Sequence, residues 1–252
     1  MKTLVEGPGN LLAGFFLLTK PGVRAYVIIP FLLNSSLFGL TIFFGAHRLN
    51  DLIDWLTSNW SWTAWLSWLL WPLFTLVAIT IVFFCFSIIA NLISAPFNGF
   101  LAEAVAKHLR GGKQASSTGN IKTLAAEMLS AFKSEVIKLS YFVIRALPLL
   151  LLFFIPIIQA FAPIIWFLFG AWMLALEYME YPMGNQGLLF TEVRSRLMNK
   201  RAMTLSFGGS VMLLTMIPVL NFIVMPAAVA AATKIWVDSL DTESEEQLLE
   251  QK

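Results

Sequence analysis

Three long stretches of the chain contain no Asp, Glu, Lys or Arg. They cover residues 55–102, 146–176 and 202–233, and the longest has 48 residues. A charged side chain in the middle of a bilayer costs at least about 2.5–3.5 kcal/mol on insertion scales, so membrane proteins keep charges in the connections between apolar segments. Runs of this length exceed what the core of a soluble domain needs. The pattern therefore predicts a single, all-α integral membrane domain.

Residues 21–46 and 66–102 are each predicted to form a transmembrane helix. The apolar part of the first has about 22 residues, or about 33 Å of helix, which is enough to cross a hydrocarbon core of about 30 Å. Six of the nine tryptophans lie between Trp55 and Trp71, and tryptophan concentrates where lipid meets water. This belt marks the far membrane face, and Pro72 is a good first-turn residue for the returning helix.

The basic residues predict the orientation. Three lie before the first span, one (Arg48) lies between the two spans, and seven lie from Lys107 to Arg145. By the positive-inside rule, the N-terminus and the segment 103–145 are cytoplasmic. Within that segment, lysines alternate with apolar residues at helical spacing, which indicates either an amphipathic helix at the membrane surface or a helix that packs on a partner. Residues 1–20 are predicted to be an interfacial segment, with a signal peptide as the alternative.

Residues 146–177 and 202–236 are predicted to be helical hairpins. Each run has two prolines near its middle: Pro156 and Pro163 in the first, and Pro218 and Pro226 in the second. A proline removes a helix hydrogen bond and favours a break, which leaves arms of about 12–16 residues, too short for a full span. A hairpin that turns back within the membrane also keeps the basic cluster at 194–201 on the cytoplasmic side. Two full-length spans are the alternative, and the acidic tail 237–252 is predicted to be solvated.

Polar side chains recur inside the apolar segments. On the second long helix, four of them share one face, because they follow one another at spacings of 4, 3 and 4: Ser87, Asn91, Ser94 and Asn98. Asn34 lies about 15 Å into the first helix. A polar face turned to lipid is unfavourable, so these residues either hydrogen-bond between helices or line a water-filled path, where amides partly replace the hydration shell of an ion.

A candidate oxyanion site lies where the first long helix begins. A helix N-terminus offers unpaired N–H groups and about half a positive charge. Gly22 lets a ligand approach the backbone, and the Arg24 guanidinium is a fork of donors that suits tetrahedral oxyanions. Gly22, Val23 and Arg24 are therefore the candidate anion-binding residues. The alternative is that Arg24 marks the interface by extending its side chain to the headgroups.

Other functional classes find little support. A net charge of +2 is too small to indicate a nucleic-acid partner, and the single cysteine, Cys85, cannot form an intrachain disulfide. Metalloprotease and serine-hydrolase motifs are absent from the sequence, so no catalytic residue, metal or cofactor is predicted. Glu177 and Glu180 lie together at a membrane edge, where pairing with Arg194, Arg196 or another basic neighbour is favoured over acid/base chemistry in a lipid enzyme.

Several motifs follow one another over nearly the whole chain: Pro21-Gly22-Val23-Arg24 with Pro30 and Asn34, Ala95-Pro96-Phe97-Asn98, Tyr178 through Pro182, Leu205-Ser206-Phe207-Gly208, Ile217-Pro218, Asn221-Phe222 and Met225-Pro226-Ala227-Ala228-Val229. This set resembles the CysZ sulfate permease family of bacterial inner membranes. The resemblance implies two long transmembrane helices and two hairpins that penetrate part of the bilayer.

The resemblance also implies a function. The expected activity is import of sulfate across the inner membrane for cysteine biosynthesis, with sulfite as a competing anion, by a homo-oligomer. The family's Gly-Leu-Arg sulfate-binding motif falls on Gly22, Val23 and Arg24, with Val in place of Leu. Its Tyr-x-Asp-Tyr-Pro pattern carries Glu180 in the Asp position. The rival interpretation is a non-transporting scaffold or assembly protein whose hairpins shape lipid or bind partners.

Overall fold

The computed structural model describes residues 2–59, 67–112 and 121–240, and these residues form helices joined by short turns, without a β-strand among them. The α-helices of this part of the chain are α1 (Lys2–Leu18), α2 (Ala25–Asn59), α3 (Ser67–Leu109), α4 (Ile121–Leu151), α5 (Ala162–Gly184), α6 (Phe190–Asn199), α7 (Arg201–Thr215) and α8 (Pro218–Ile235). The predicted all-α class is confirmed.

Four helical segments within the described part are long and apolar enough to cross a membrane: Ala25–Phe44, Lys133–Phe154, Ala162–Gly184 and Leu220–Leu240. The chain is therefore a multi-pass helical membrane protein. Its helices divide into two units. One unit combines Met1–Ala25 with Asn98–Lys252, and the other is Tyr26–Phe97.

Both long helices continue past the C-terminal ends of the predicted spans 21–46 and 66–102. Helix α2 has 35 residues and α3 has 43, and their internal prolines do not end them. The prediction drew these boundaries from the position of charges, but a charged residue does not stop a helix. Helix α3 ends where Gly111 and Gly112 have φ values of 65° and 91°, because a left-handed glycine satisfies the last helical carbonyls.

Each predicted hairpin run contains a break. In the first, α4 ends at Leu151, Ile155 is extended before Pro156, and two 3₁₀ turns lead into α5, which has Pro163 in its first turn. The residue before a proline avoids the helical region, which explains the extended backbone. The remaining turn residue, Ile157, has a φ of 75°. Helix α4 is continuous from residue 121, so the predicted amphipathic segment and the first hairpin arm form one helix.

The second break lies between α7 and α8. Ile217 is extended and Pro218 begins α8, in agreement with the preference of proline for the first helical turn. Pro226 lies inside α8 without ending it. How deeply either hairpin enters the bilayer stays a prediction.

Small residues let the helices of the larger unit approach closely. A Cβ added to Gly208 of α7 would lie 1.8 Å from the Ala171 carbonyl oxygen of α5, and one added to Gly14 of α1 would lie 2.2 Å from the Ala227 carbonyl oxygen of α8. Gly7 of α1 contacts Ser206 of α7 in the same way. Close backbone approach at small residues is the usual packing of membrane helices. The N-terminal segment, predicted to be interfacial, thus also has a face that packs against protein.

Candidate functional site

The predicted anion-binding residues lie in the turn that joins α1 to α2. Gly22 has a φ of 85°, a conformation that glycine adopts readily. The neighbouring Val23 is buried with 1% of its surface exposed, and it anchors the turn to the larger unit. The backbone N–H groups of Val23 and Arg24 both donate to the carbonyl oxygen of Lys20, at 3.1 and 3.2 Å. The turn is therefore closed by its own hydrogen bonds.

These bonds change which groups are available to an anion. Anion binding was predicted for the backbone N–H groups, but those of Val23 and Arg24 already have the Lys20 carbonyl oxygen as an acceptor. The side of Gly22 where a Cβ would stand is open, with no atom within 4 Å. The side chains of Lys20 and Arg24 are exposed, and neither forms an ion pair with another described residue. An anion at this turn would meet two cationic side chains and an unobstructed backbone.

The five predicted path residues are distributed over both units. Asn34 is half-buried in α2 and belongs to the smaller unit. Ser87, Asn91 and Ser94 belong to α3 in the same unit, and their side chains lie outside the described part of the structure. Asn98 belongs to the larger unit, where its Nδ2 donates to the Tyr181 hydroxyl at 3.3 Å. A continuous path through these residues stays a prediction.

A polar cluster forms around Lys138 of α4. Its Nζ lies 2.8 Å from Glu180 Oε2, 3.0 Å from Glu177 Oε2 and 3.0 Å from Glu135 Oε1. The Lys138 and Glu180 side chains are 14% and 17% exposed, whereas Glu177 is 45% exposed. The carboxylates at 177 and 180 thus pair with a basic neighbour, as predicted, and that neighbour is a lysine of α4.

Hydrogen bonds near this cluster join α3 to α5 and α4 to α6. Besides the bond from Asn98 to Tyr181, Asn185 Nδ2 donates to the Gly99 carbonyl oxygen at 2.8 Å, which ties the end of α5 to α3. The Ser134 hydroxyl of α4 accepts from the Phe190 N–H at 2.9 Å, at the start of α6. The roles of Lys138, Ser134 and Asn185 could not be predicted from the sequence, because their partners lie 39 or more residues away.

The family model described as sulfate transporter CysZ/etoposide-induced protein 2.4 matches residues 10–226. The chain belongs to this family. Every predicted anion and path residue, and the whole Lys138 cluster, lies within the matched range. The resemblance to CysZ inferred from the motifs is therefore confirmed.

Individual CysZ relatives match along most of their length. The sulfate transporter CysZ of Pectobacterium atrosepticum is 43% identical over 235 residues, which is 92% of this chain and 85% of the relative. The protein of the same name from Pseudomonas fluorescens strain Pf0-1 is 40% identical over 93% of this chain and 94% of its own. The one from Pseudomonas aeruginosa strain LESB58 is 41% identical over 92% and 95%.

Proposed function

We propose that this chain is a sulfate permease that imports sulfate across the bacterial inner membrane to supply cysteine biosynthesis. The relatives that match nearly the whole chain bear the name sulfate transporter, and the multi-pass helical fold agrees with that activity. The N-terminus lies in the cytoplasm, in accord with the basic-residue count. The chain acts as a homo-oligomer and needs no cofactor.

The observation that carries the capture step is the exposed Arg24 guanidinium, which no described residue pairs, beside the open backbone of Gly22. A guanidinium presents parallel N–H donors that match two oxygens of a sulfate, and such charge-assisted hydrogen bonds are about twice as strong as neutral ones. Lys20 adds a second positive charge, and the start of α2 adds the partial charge of a helix N-terminus. Sulfite is also an oxyanion whose oxygens accept hydrogen bonds, so it competes.

Beyond the capture turn, the sulfate path is lined in part by Asn34 and by the polar face of α3: Ser87, Asn91, Ser94 and Asn98. Residues 55–102 contain no charged side chain. A neutral amide and hydroxyl lining replaces part of the hydration shell while allowing the anion to leave again, which conduction requires.

Sulfate entry into liposomes that contain the purified protein tests this function. We expect saturable entry of radiolabelled sulfate that chloride does not block and sulfite does. Replacing Arg24 with Ala removes charge-assisted bonds worth about 1.5–3 kcal/mol, so entry at low sulfate should fall at least about tenfold. Arg201→Ala is the matched control, because it also removes a guanidinium. The Nε of Arg201 donates to a backbone carbonyl outside the capture turn.

Two outcomes would count against the proposal. Equal entry in Arg24→Ala and Arg201→Ala would remove the capture site while leaving transport in place. No entry above empty liposomes, from protein shown by circular dichroism to be folded, would favour the scaffold interpretation.

A further inference from the structure

Two arginines meet at the ring of Tyr141, away from the turn that holds Arg24. The Cζ of Arg145, one helical turn further along α4, lies 3.9 Å from the ring centroid, and the Cζ of Arg194, on α6, lies 4.8 Å from it. The ring itself is held in place, because its hydroxyl accepts a hydrogen bond from Trp172 Nε1 at 3.0 Å. Phe190 packs edge-on against it, with centroids 5.5 Å apart.

This arrangement leaves two positive charges close together without a matching negative charge. The two guanidinium carbons lie no further apart than the sum of their distances to the ring. Neither arginine forms an ion pair with a described carboxylate. The Nε of Arg194 is buried without a hydrogen-bond acceptor, and a buried donor without an acceptor is unfavourable. Lys138, two turns earlier on α4 than Arg145, shows the contrast, since three carboxylates surround it.

An anion with several acceptor oxygens would supply both the missing negative charge and the missing hydrogen-bond acceptor. It would neutralise the repulsion between the guanidinium groups and accept from their free N–H donors, and aromatic stacking holds each fork in a fixed plane. We propose that Arg145 and Arg194 bind a tetrahedral sulfate or phosphate oxyanion, with Tyr141 as the platform that positions both side chains. The proposed site uses residues of α4 and α6 and none of the capture turn, so it does not depend on the proposed sulfate transport.

Such an oxyanion has two sources at this position. Arg145 is exposed, stands directly before the charge-free run 146–176, and lies ten residues, or about 15 Å of helix, before the turn at Ile155. An arginine at the edge of an apolar segment reaches the level of lipid phosphates. A free sulfate or phosphate from solution reaches the same exposed side chain. Both sources present the same kind of oxyanion, so the experiment must distinguish a lipid headgroup from a free ion.

The experiment measures binding to the full-length protein in an Arg24→Ala background, so that the capture turn does not contribute. One arm titrates sulfate and inorganic phosphate by calorimetry. The other compares retention of phosphatidylglycerol and of phosphatidylcholine by native mass spectrometry. Arg145→Gln and Arg194→Gln are each tested against Arg201→Gln, which removes the same charge elsewhere.

We expect both test variants to bind either the free anions, sulfate and inorganic phosphate, or phosphatidylglycerol about tenfold more weakly than the Arg201→Gln control. The affected probe identifies the source as a free ion or as a lipid headgroup. Tyr141→Phe keeps the ring and should keep the binding. If Arg194→Gln does not fold, the exposed Arg145→Gln decides alone. Unchanged binding of all three anions in the folded test variants, or no binding of any of them by the Arg24→Ala parent, would overturn the proposal.

Discussion

The backbone conformation at Gly22 favours glycine, whereas the space around it would admit a side chain. Its φ of 85° costs a residue with a Cβ about 1–2 kcal/mol, whereas the open space around it means that a side chain would meet no atom. Gly187, in the turn after α5, has a φ of 79° and equally open surroundings. The two glycines therefore have the same conformational requirement, and only one of them lies beside Arg24.

For this reason Gly22→Ala and Gly187→Ala should lower the free energy of unfolding by a similar amount, about 1 kcal/mol, measured by chemical denaturation in detergent. Only Gly22→Ala should reduce sulfate entry into liposomes, because it alone changes the direction of the Arg24 side chain. Gly22→Asn should have a smaller effect, since Asn tolerates the left-handed region. Equal transport by Gly22→Ala and Gly187→Ala would contradict a role of this turn in capture.

The Lys138 cluster makes a second prediction for single residues. Lys138→Gln removes the ammonium that lies within 3.0 Å of the Glu135, Glu177 and Glu180 carboxylates. The loss of one partner from a largely buried pair costs up to about 3–5 kcal/mol, and the partly exposed carboxylates should bring the cost to about 2 kcal/mol. A denaturation curve measures it, and Lys133→Gln, an exposed lysine of the same helix, is the control.

If the cost comes from uncompensated charge, the double variant Lys138→Gln with Glu180→Gln should recover part of the lost stability. A double variant that is less stable than Lys138→Gln alone would show that packing, and not charge, dominates at this cluster.

At the scale of the helices, the prolines predicted the hairpin breaks, whereas the charges predicted the spans but not where the longer helices α2 and α3 end. Pro156 and Pro218 act through the backbone of the preceding residue, a local effect that can be read from sequence. The continuity of α4 and the pairing of Lys138 with Glu180 depend on which helices pack together. The candidate anion site was predicted from Gly22 and Arg24, but the hydrogen bonds that occupy two amides of this turn follow from its three-dimensional closure.

The close contact of α7 with α5 predicts a strong effect of one methyl group. Gly208→Ala would place a Cβ 1.8 Å from the Ala171 carbonyl oxygen, so the helices must separate, at a cost of about 1–3 kcal/mol for overpacking. Gly9→Ala, in a part of α1 with no neighbour within 4 Å, should stabilise the helix by about 0.5–1 kcal/mol. Thermal unfolding in detergent compares the two, and a neutral Gly208→Ala would show that α5 and α7 have room to adjust.

One labelling experiment measures both the orientation of the whole molecule in the membrane and the depth of its hairpins. In a Cys85→Ser background, a membrane-impermeant maleimide should label Gln186→Cys from the cytoplasmic side and Arg48→Cys from the opposite side. Ile157→Cys, at the exposed turn of the first hairpin, should be labelled from neither side if the hairpin ends within the bilayer. Labelling of Ile157→Cys from the outside would establish a full crossing, and labelling of Gln186→Cys from both sides would establish subunits of both orientations.

The contacts of α1 through Gly7 and Gly14 have a consequence for biosynthesis. The ribosome makes α1 before its packing partners α7 and α8, which emerge only after more than 180 further residues. Contacts between segments far apart in sequence form late and slow the completion of folding. Until then the partly made protein must keep α1 at the membrane without its neighbours, so a chain that stops before α8 should be degraded rather than accumulate as a shortened permease.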